Sequence, residues 1–302
     1  MTATAVADNM RDRFARVTSE LLDSDPRVAV VLAEIGLAGF ARARRRHPDR
    51  IINVGIREQL MISVASGLAL SGMRPIAHSY TPFLIERPFE QVKLDLVHQG
   101  VAAVLVSIGA SYDASDSGRT HQAPEDVALV SSLPDWQIHV PGHPDEAELI
   151  LRDAVTGRGN VYIRLAAGAN AAPMPIEPGR FHVVRRGSRA VVIAAGPMLD
   201  RTLDATEDLD VTVLYATTVR PFDEETLRVE LSAPAVVLVE PYLQGTSAIC
   251  VTEALRDRAH RLLSIGVQRL ENRHYGTPGQ HDDAHGLDVA SLRIRIGRFL
   301  EV

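Results

Sequence analysis

Two short stretches hold residues whose types could do chemistry. In NVGIREQLMISVASGLALSG, residues 53–72, Glu58 heads a run that carries no further charge until Arg74. The residues after it read as a helix over 56–70 that is apolar on every face, a pattern expected of a buried helix. A carboxylate there is costly, because burial penalises its charged form unless a neighbour supplies a hydrogen bond or a charge. Read locally, Glu58 is either an acid with work to do, an acid drawn to a helix N-terminus by the macrodipole, or a partner for Arg57. The second stretch is the loop GASYDASDSGRTHQAPED, residues 109–126, which follows an apolar strand. Open α/β sheets place their ligands at the C-terminal ends of such strands. Gly109 and Gly118 allow close backbone approach, and His121 lies between Thr120 and Gln122, both able to hydrogen-bond. A lone loop histidine is ordinarily a surface residue, so its meaning depends on whether the fold brings it to Glu58.

The elements that must position these residues alternate. Apolar runs at 28–33, 75–80, 101–109, 136–140 and 161–166 are separated by helix-length segments, the pattern of a parallel sheet covered on both faces. The stretch AGANAAPMPIEPGR, 167–180, has three prolines and little periodicity and reads as a linker. A second series follows, with strands at 190–196, 211–216 and 235–240 and helices at 197–207, 223–232 and 246–260, closed by an amphipathic helix at 286–300. The expected fold class is therefore α/β, as two three-layer α/β domains over 1–170 and 183–302 with a linker at 171–182.

Bulk properties exclude several classes. The chain has 302 residues and a formal net charge of -6, so it presents no basic field for nucleic acid. The single basic run, RARRRH at 42–47, reads as a solvated helix face. One cysteine, Cys250, rules out an internal disulfide framework and suits a reducing compartment. With no signal-like N-terminus and no apolar run of membrane-spanning length, a cytoplasmic protein without membrane contact is expected. His139 and His143 are four apart, but Pro141 and Pro144 break the helix that would make them a ligand pair, so no metal site is expected within the chain. HYGTPGQHDD, 274–283, reads as a solvated loop.

Four stretches in order, NVGIREQ (53–59), TPFLIERPFEQV (81–92), GRTHQAPED (118–126) and LPDWQIHVPGHPDEAE (133–148), resemble the thiamine diphosphate enzymes of the transketolase and deoxyxylulose-phosphate synthase group. RPFDEE (220–225) and VVLVEPYLQGTSAI (236–249) resemble that group's C-terminal domain, so the likeness spans essentially the whole chain. It implies that Glu58 hydrogen-bonds the cofactor's pyrimidine nitrogen and favours the tautomer whose exocyclic nitrogen takes a proton from the thiazolium carbon. It implies Phe83 as an aromatic stacking on the pyrimidine, with Phe89 as a weaker counterpart, and Glu34 as a further acid near the cofactor. His121 is implied to meet the sugar beside its reacting carbonyl, and Arg164, with Arg11 as a second, to bind sugar phosphate. Without the resemblance, Phe83 is an ordinary core residue and the arginines plain ion-pair residues.

Members of the group hold the diphosphate through Mg²⁺ on an N-terminal domain carrying a Gly-Asp-Gly, and no Gly-Asp-Gly occurs in this chain. The resemblance thus implies the C-terminal subunit of a split transketolase. An N-terminal subunit would supply the diphosphate and Mg²⁺ site, in an α2β2 heterotetramer acting on a sugar or sugar phosphate. Where the group commonly reads Asp-Gly before Thr-His-Gln, this chain has Ser117-Gly118-Arg119, and Ala38 stands where some transketolases use a serine. Ser117 at a substrate position and the added charge of Arg119 suggest a specialised or anionic sugar. The β subunit of a 2-oxo acid dehydrogenase, deoxyxylulose-phosphate synthase activity, and a non-catalytic scaffold are the alternatives.

Overall fold

The computed structural model describes residues 9–301. Its first sheet contains β1 (Val28–Leu32), β2 (Ile51–Asn53), β3 (Arg74–Tyr80), β4 (Val104–Ile108), β5 (Trp136–His139) and β6 (Asn160–Arg164), all parallel, in the order β2-β1-β3-β4-β6-β5. β1 and β4 are buried at every position, which is why they read as continuous apolar runs rather than alternating ones. The helix Met10–Ser24 packs with Pro144–Thr156 over one face, and the helix Glu58–Leu70 with segment 82–98 covers the other.

The second sheet contains β7 (His182–Arg185), β8 (Val191–Ala195), β9 (Thr212–Ala216), then β11 (Ala235–Leu243) and β12 (Arg261–Val267), in the order β12-β11-β8-β9-β7. Between β9 and β11 the chain returns to the first sheet, where β10 (Thr218–Arg220) adds antiparallel to β5. One apolar core runs from Met61 and Leu84 under the first sheet to Val191 and Leu238 in the second, so the two sheets are joined by packing as well as by β10.

The structure departs from the sequence reading in several places. β2, β7, β10 and β12 are additional strands; β2 and β10 span three residues each, and every position of β7 is only half-buried. β2, β7 and β10 are too short or too solvated to leave an apolar run, whereas β12 does carry one, LLSIGV over 262–267. The helix expected over 246–260 is shorter, Ala248–Ala254. The helix expected to be buried on all sides begins at Glu58 and leaves one apolar face open: Leu60 and Leu70 are exposed, Ser63 and Gly67 lie on the same face, and Ile56 just before it is exposed as well. Segment 274–283 is an exposed loop, as expected, only over 274–277, and gives way to a helix after it. Thr277 opens a capping box with Gln280, and the helix Pro278–His285 buries His281, Asp282 and His285. His139 is buried against Thr218 Oγ1 at 2.9 Å, while His143 caps the helix Pro144–Thr156 by accepting from Asp145 N. The basic run at 42–47 forms a solvated helix, Ala41–Arg46, as expected. Among the described residues no helix is long and apolar enough to cross a membrane.

Candidate active site

Every residue that the sequence singled out, except Arg11, lies at or beyond the C-terminal end of a strand in the first sheet. Thr81 Oγ1 donates to Ile108 O at 3.0 Å and ties the exit of β3 to the exit of β4. At the start of the next loop Gly109 has φ 72°, and a Cβ there would come within 2.2 Å of the Tyr80 ring, so glycine is required for the two exits to lie together.

Glu58 is the first residue of its helix and is 2% exposed. The macrodipole favours its charge there. Its partner is neither solvent nor Arg57 but Arg87, whose Nη1 donates to Glu58 Oε1 over 2.7 Å. Arg87 also lies over Phe83, its guanidinium carbon 4.2 Å from the ring centroid. Phe83 stands in a π-helical turn, Pro82–Glu86, a widened turn of the kind that recurs at functional sites. The turn closes with Arg87 N donating to Pro82 O at 3.0 Å, and it sets Arg87 over the ring four residues back.

His121 completes the group. Its ring lies 5.0 Å from Phe83 and 5.7 Å from Tyr80, edge-on to both, and Tyr80 and Phe83 are 6.3 Å apart. Its Nδ1 pairs with Thr120 Oγ1 at 3.0 Å, so Nε2 is the ring nitrogen not engaged by Thr120. Glu58, Phe83 and His121 are therefore brought together, and Arg87 and Tyr80 join them. Sequence reasoning missed those two, although both stand in the quoted neighbourhood and Arg87 follows Phe83 at a spacing that shares a helix face.

The remaining candidates lie apart. Phe89, in the turn Phe89–Gln91, makes no ring contact with the cluster among the described residues. Glu34 is exposed at the end of β1 with φ 68°, and exchanges hydrogen bonds with Asn53: Glu34 N to Oδ1 at 3.0 Å and Nδ2 to Oε1 at 2.8 Å. Ser117 is exposed in the loop beside Asp116. Arg11 is exposed on the first helix and shares a cavity of about 260 Å³ with Tyr80, Gly109, Asp113 and Ala167, which connects it to the cluster through Tyr80. Burial pushes the Asp113 carboxyl in that cavity up to about 6. Arg119, expected to add a positive charge at the mouth, is exposed there and paired with Glu125 at 2.9 Å.

Arg164, expected to meet a sugar phosphate, has no exposed surface but lines a cavity of about 460 Å³ with Asp113 and Arg201, and its Nη1 has no hydrogen-bond partner among the described residues. Its Nε donates to Asp126 Oδ2 at 2.7 Å and its Nη2 to Ser111 Oγ at 2.6 Å, while Ser111 donates on to Pro241 O. Tyr162 OH adds a second bond to Asp126, at 2.6 Å. Ser111 and Asp126 are the two ends of the loop that carries His121, so Arg164 pins both ends and joins them to β11. The helix Pro278–His285 also grips this loop: Tyr112 stacks on His281 and His285, 5.0 and 5.6 Å away, and donates to Asp282 at 2.6 Å.

Comparison with known proteins bears on the two halves of the chain. The family description "Transketolase, pyrimidine binding domain" matches residues 7–170, and "Transketolase, C-terminal domain" matches residues 179–292. An uncharacterized 33.6 kDa protein of the fasciation locus of Rhodococcoides fascians is 51% identical, covering 97% of this chain and 95% of its own length. One subunit of the apulose-4-phosphate transketolase of Actinobacillus succinogenes is 32% identical, covering 95% of this chain and 96% of its own length. Among solved structures, a split-gene transketolase described as an inactive β4 tetramer matches with a TM-score of 0.83 at 26% identity, covering 97% of this chain and 98% of that one. Family matches across both sheets, and relatives of equal length, establish that the chain belongs to the transketolase family.

Proposed function

We propose that this chain is the C-terminal subunit of a split transketolase that moves a two-carbon ketol unit from a ketose, or ketose phosphate, to an aldehyde. The observation that carries the reading is the buried Glu58 carboxylate beside Phe83 and His121, at the strand ends of the matched pyrimidine-binding domain. These residues fit thiamine diphosphate. A sunken carboxylate suits a ring nitrogen, and Phe83 offers a flat face, both currently engaged by a flat cationic side chain. When bound, that cofactor supplies an electron sink that allows a sugar carbon–carbon bond to break.

Glu58 would hold the proton shared with the pyrimidine nitrogen, in a setting where water does not compete for it. His121, its Nδ1 committed to Thr120, would direct Nε2 at the substrate oxygen on which charge develops. Arg11 and Ser117 are the chain's candidates for reading the rest of the sugar. The diphosphate and its Mg²⁺ are assigned to a partner subunit, since the chain contains no Gly-Asp-Gly. Exposed Ile56 and Leu60, beside the Glu58 helix N-terminus, give a second chain an apolar surface to cover next to the site, and exposed Leu70 continues it at the far end of the helix. The inactive β4 tetramer of the similar split-gene protein fits a subunit that needs its complement.

The test is reconstitution. The neighbouring reading frame that encodes a Gly-Asp-Gly chain is expressed, and both proteins are assayed together and apart with a ketose, an aldose, thiamine diphosphate and Mg²⁺. Activity is expected only in the mixture, and Glu58→Gln should lower its turnover about 10²- to 10⁴-fold. Full turnover by this chain alone, or by the mixture containing the variant, would refute the reading.

A further inference from the structure

Arg87 makes, within this chain, the two contacts that the proposed function asks of a pyrimidine ring. Its guanidinium lies 4.2 Å from the Phe83 centroid, and its Nη1 holds Glu58 Oε1 at 2.7 Å. A guanidinium is flat, stacks on aromatic faces and donates to carboxylates. An aminopyrimidine is flat too, stacks on the same kind of face and meets a carboxyl through its ring nitrogen. One face of Phe83 and one oxygen of Glu58 cannot serve both groups at once.

We propose that Arg87 is an internal placeholder: in the chain without cofactor its guanidinium occupies the pyrimidine's position, and binding of thiamine diphosphate must displace it. The inference rests on the function proposed above. Burial explains why a placeholder is useful. Glu58 is 2% exposed, and a carboxylate so enclosed is better held by a partner than left alone. Exposure explains why displacement is feasible. The Arg87 side chain is 43% exposed, so its charge can return to water when it swings away on its flexible stem. Arg87 therefore competes with the cofactor for the site that it keeps ordered.

Two measurements test this. Thiamine diphosphate with Mg²⁺ is titrated calorimetrically into the complex of this chain and its partner, carrying wild-type Arg87, Arg87→Met or Arg87→Lys. Arg87→Met should bind the cofactor about threefold to thirtyfold more tightly, the gain expected from removing one half-exposed ion pair and one cation–π contact. Arg87→Lys, charged but not planar, should fall between. Separately, the free chain carrying Arg87→Met should melt at a lower temperature than wild type, and adding Glu58→Gln should recover much of that loss. Equal or weaker cofactor binding by Arg87→Met, with a wild-type complex that binds normally, overturns the placeholder alone. An unchanged melting temperature in the free Arg87→Met chain overturns it as well. A wild-type complex that binds no thiamine diphosphate removes the functional reading, and the placeholder with it.

Discussion

Two arginine–carboxylate pairs flank His121, and they are built in opposite ways. Arg87 and Glu58 meet at 2.7 Å with the arginine side chain 43% exposed, whereas Arg164 and Asp126 meet at 2.7 Å with both side chains fully buried. Distance alone would call them equivalent. Surroundings separate them: Arg164 is also held by Ser111 and lies 5.6 Å from the Tyr242 ring, while Asp126 accepts from Tyr162. A buried charge has no water to return to, so breaking that pair leaves an uncompensated ion in the interior. The Arg87 pair can be exchanged because one member already faces solvent. One arginine therefore fixes the frame of the loop and the other guards the place where the chemistry is proposed.

Substitutions can break or sharpen this contrast. Asp126→Ala should have the largest effect, about 3–5 kcal/mol of unfolding free energy, because it strands the Arg164 guanidinium in the core. Urea denaturation measures it, and a loss below about 1 kcal/mol would mean that the buried pair is not a structural fixture. His121→Ala comes next and touches function rather than folding. In the reconstituted enzyme it should lower kcat about 10²- to 10³-fold with an unchanged melting temperature.

Glu240 supplies a third kind of carboxyl, fully buried but with no arginine bond to its carboxylate among the described residues, and burial pushes it up to about 7. Its folded value lies above the ordinary 4.5. Its contribution to stability is thus fully present below pH 4.5, declines as pH rises towards 7, and is flat above. The decline should amount to roughly 3 kcal/mol, and Glu240→Gln should flatten that stretch of the stability–pH curve. Parallel curves for the two proteins would show that Glu240 titrates normally. The smallest effect is expected for Arg87→Met in the free chain, a measurable loss of about 1 kcal/mol, as suits a pair that must yield to a ligand. A cost as large as that of Asp126→Ala would erase the distinction between the two pairs.

Much of the fold was legible because parallel strands covered on both faces leave unbroken apolar runs. β1, β3, β4, β5, β6, β8, β9 and β11 each announce themselves in this way. β10 did not, since three residues added to the edge of another domain's sheet carry no pattern of their own. The segment 274–283 read as solvated because its two histidines and two aspartates are polar, and 274–280 and Asp283 are indeed exposed, whereas His281 and Asp282 are buried. In the fold, the Tyr112 ring and hydroxyl give His281, His285 and Asp282 contacts that make burial tolerable.

The site divides along the same line. From sequence alone, the isolated charge of Glu58 in an apolar run marked an acid under constraint, and the glycine-bearing loop after a buried strand marked the neighbourhood of His121. Those are local properties, written in residue type and order. What only the tertiary structure decided is which charges meet. Arg57 adjoins Glu58 in the chain, yet Arg87 takes the carboxylate, and Arg164 meets Asp126 and Ser111 at the two ends of the loop. Ion pairing depends on separation in space and on exclusion of water, and neither quantity exists until strands distant in sequence lie side by side.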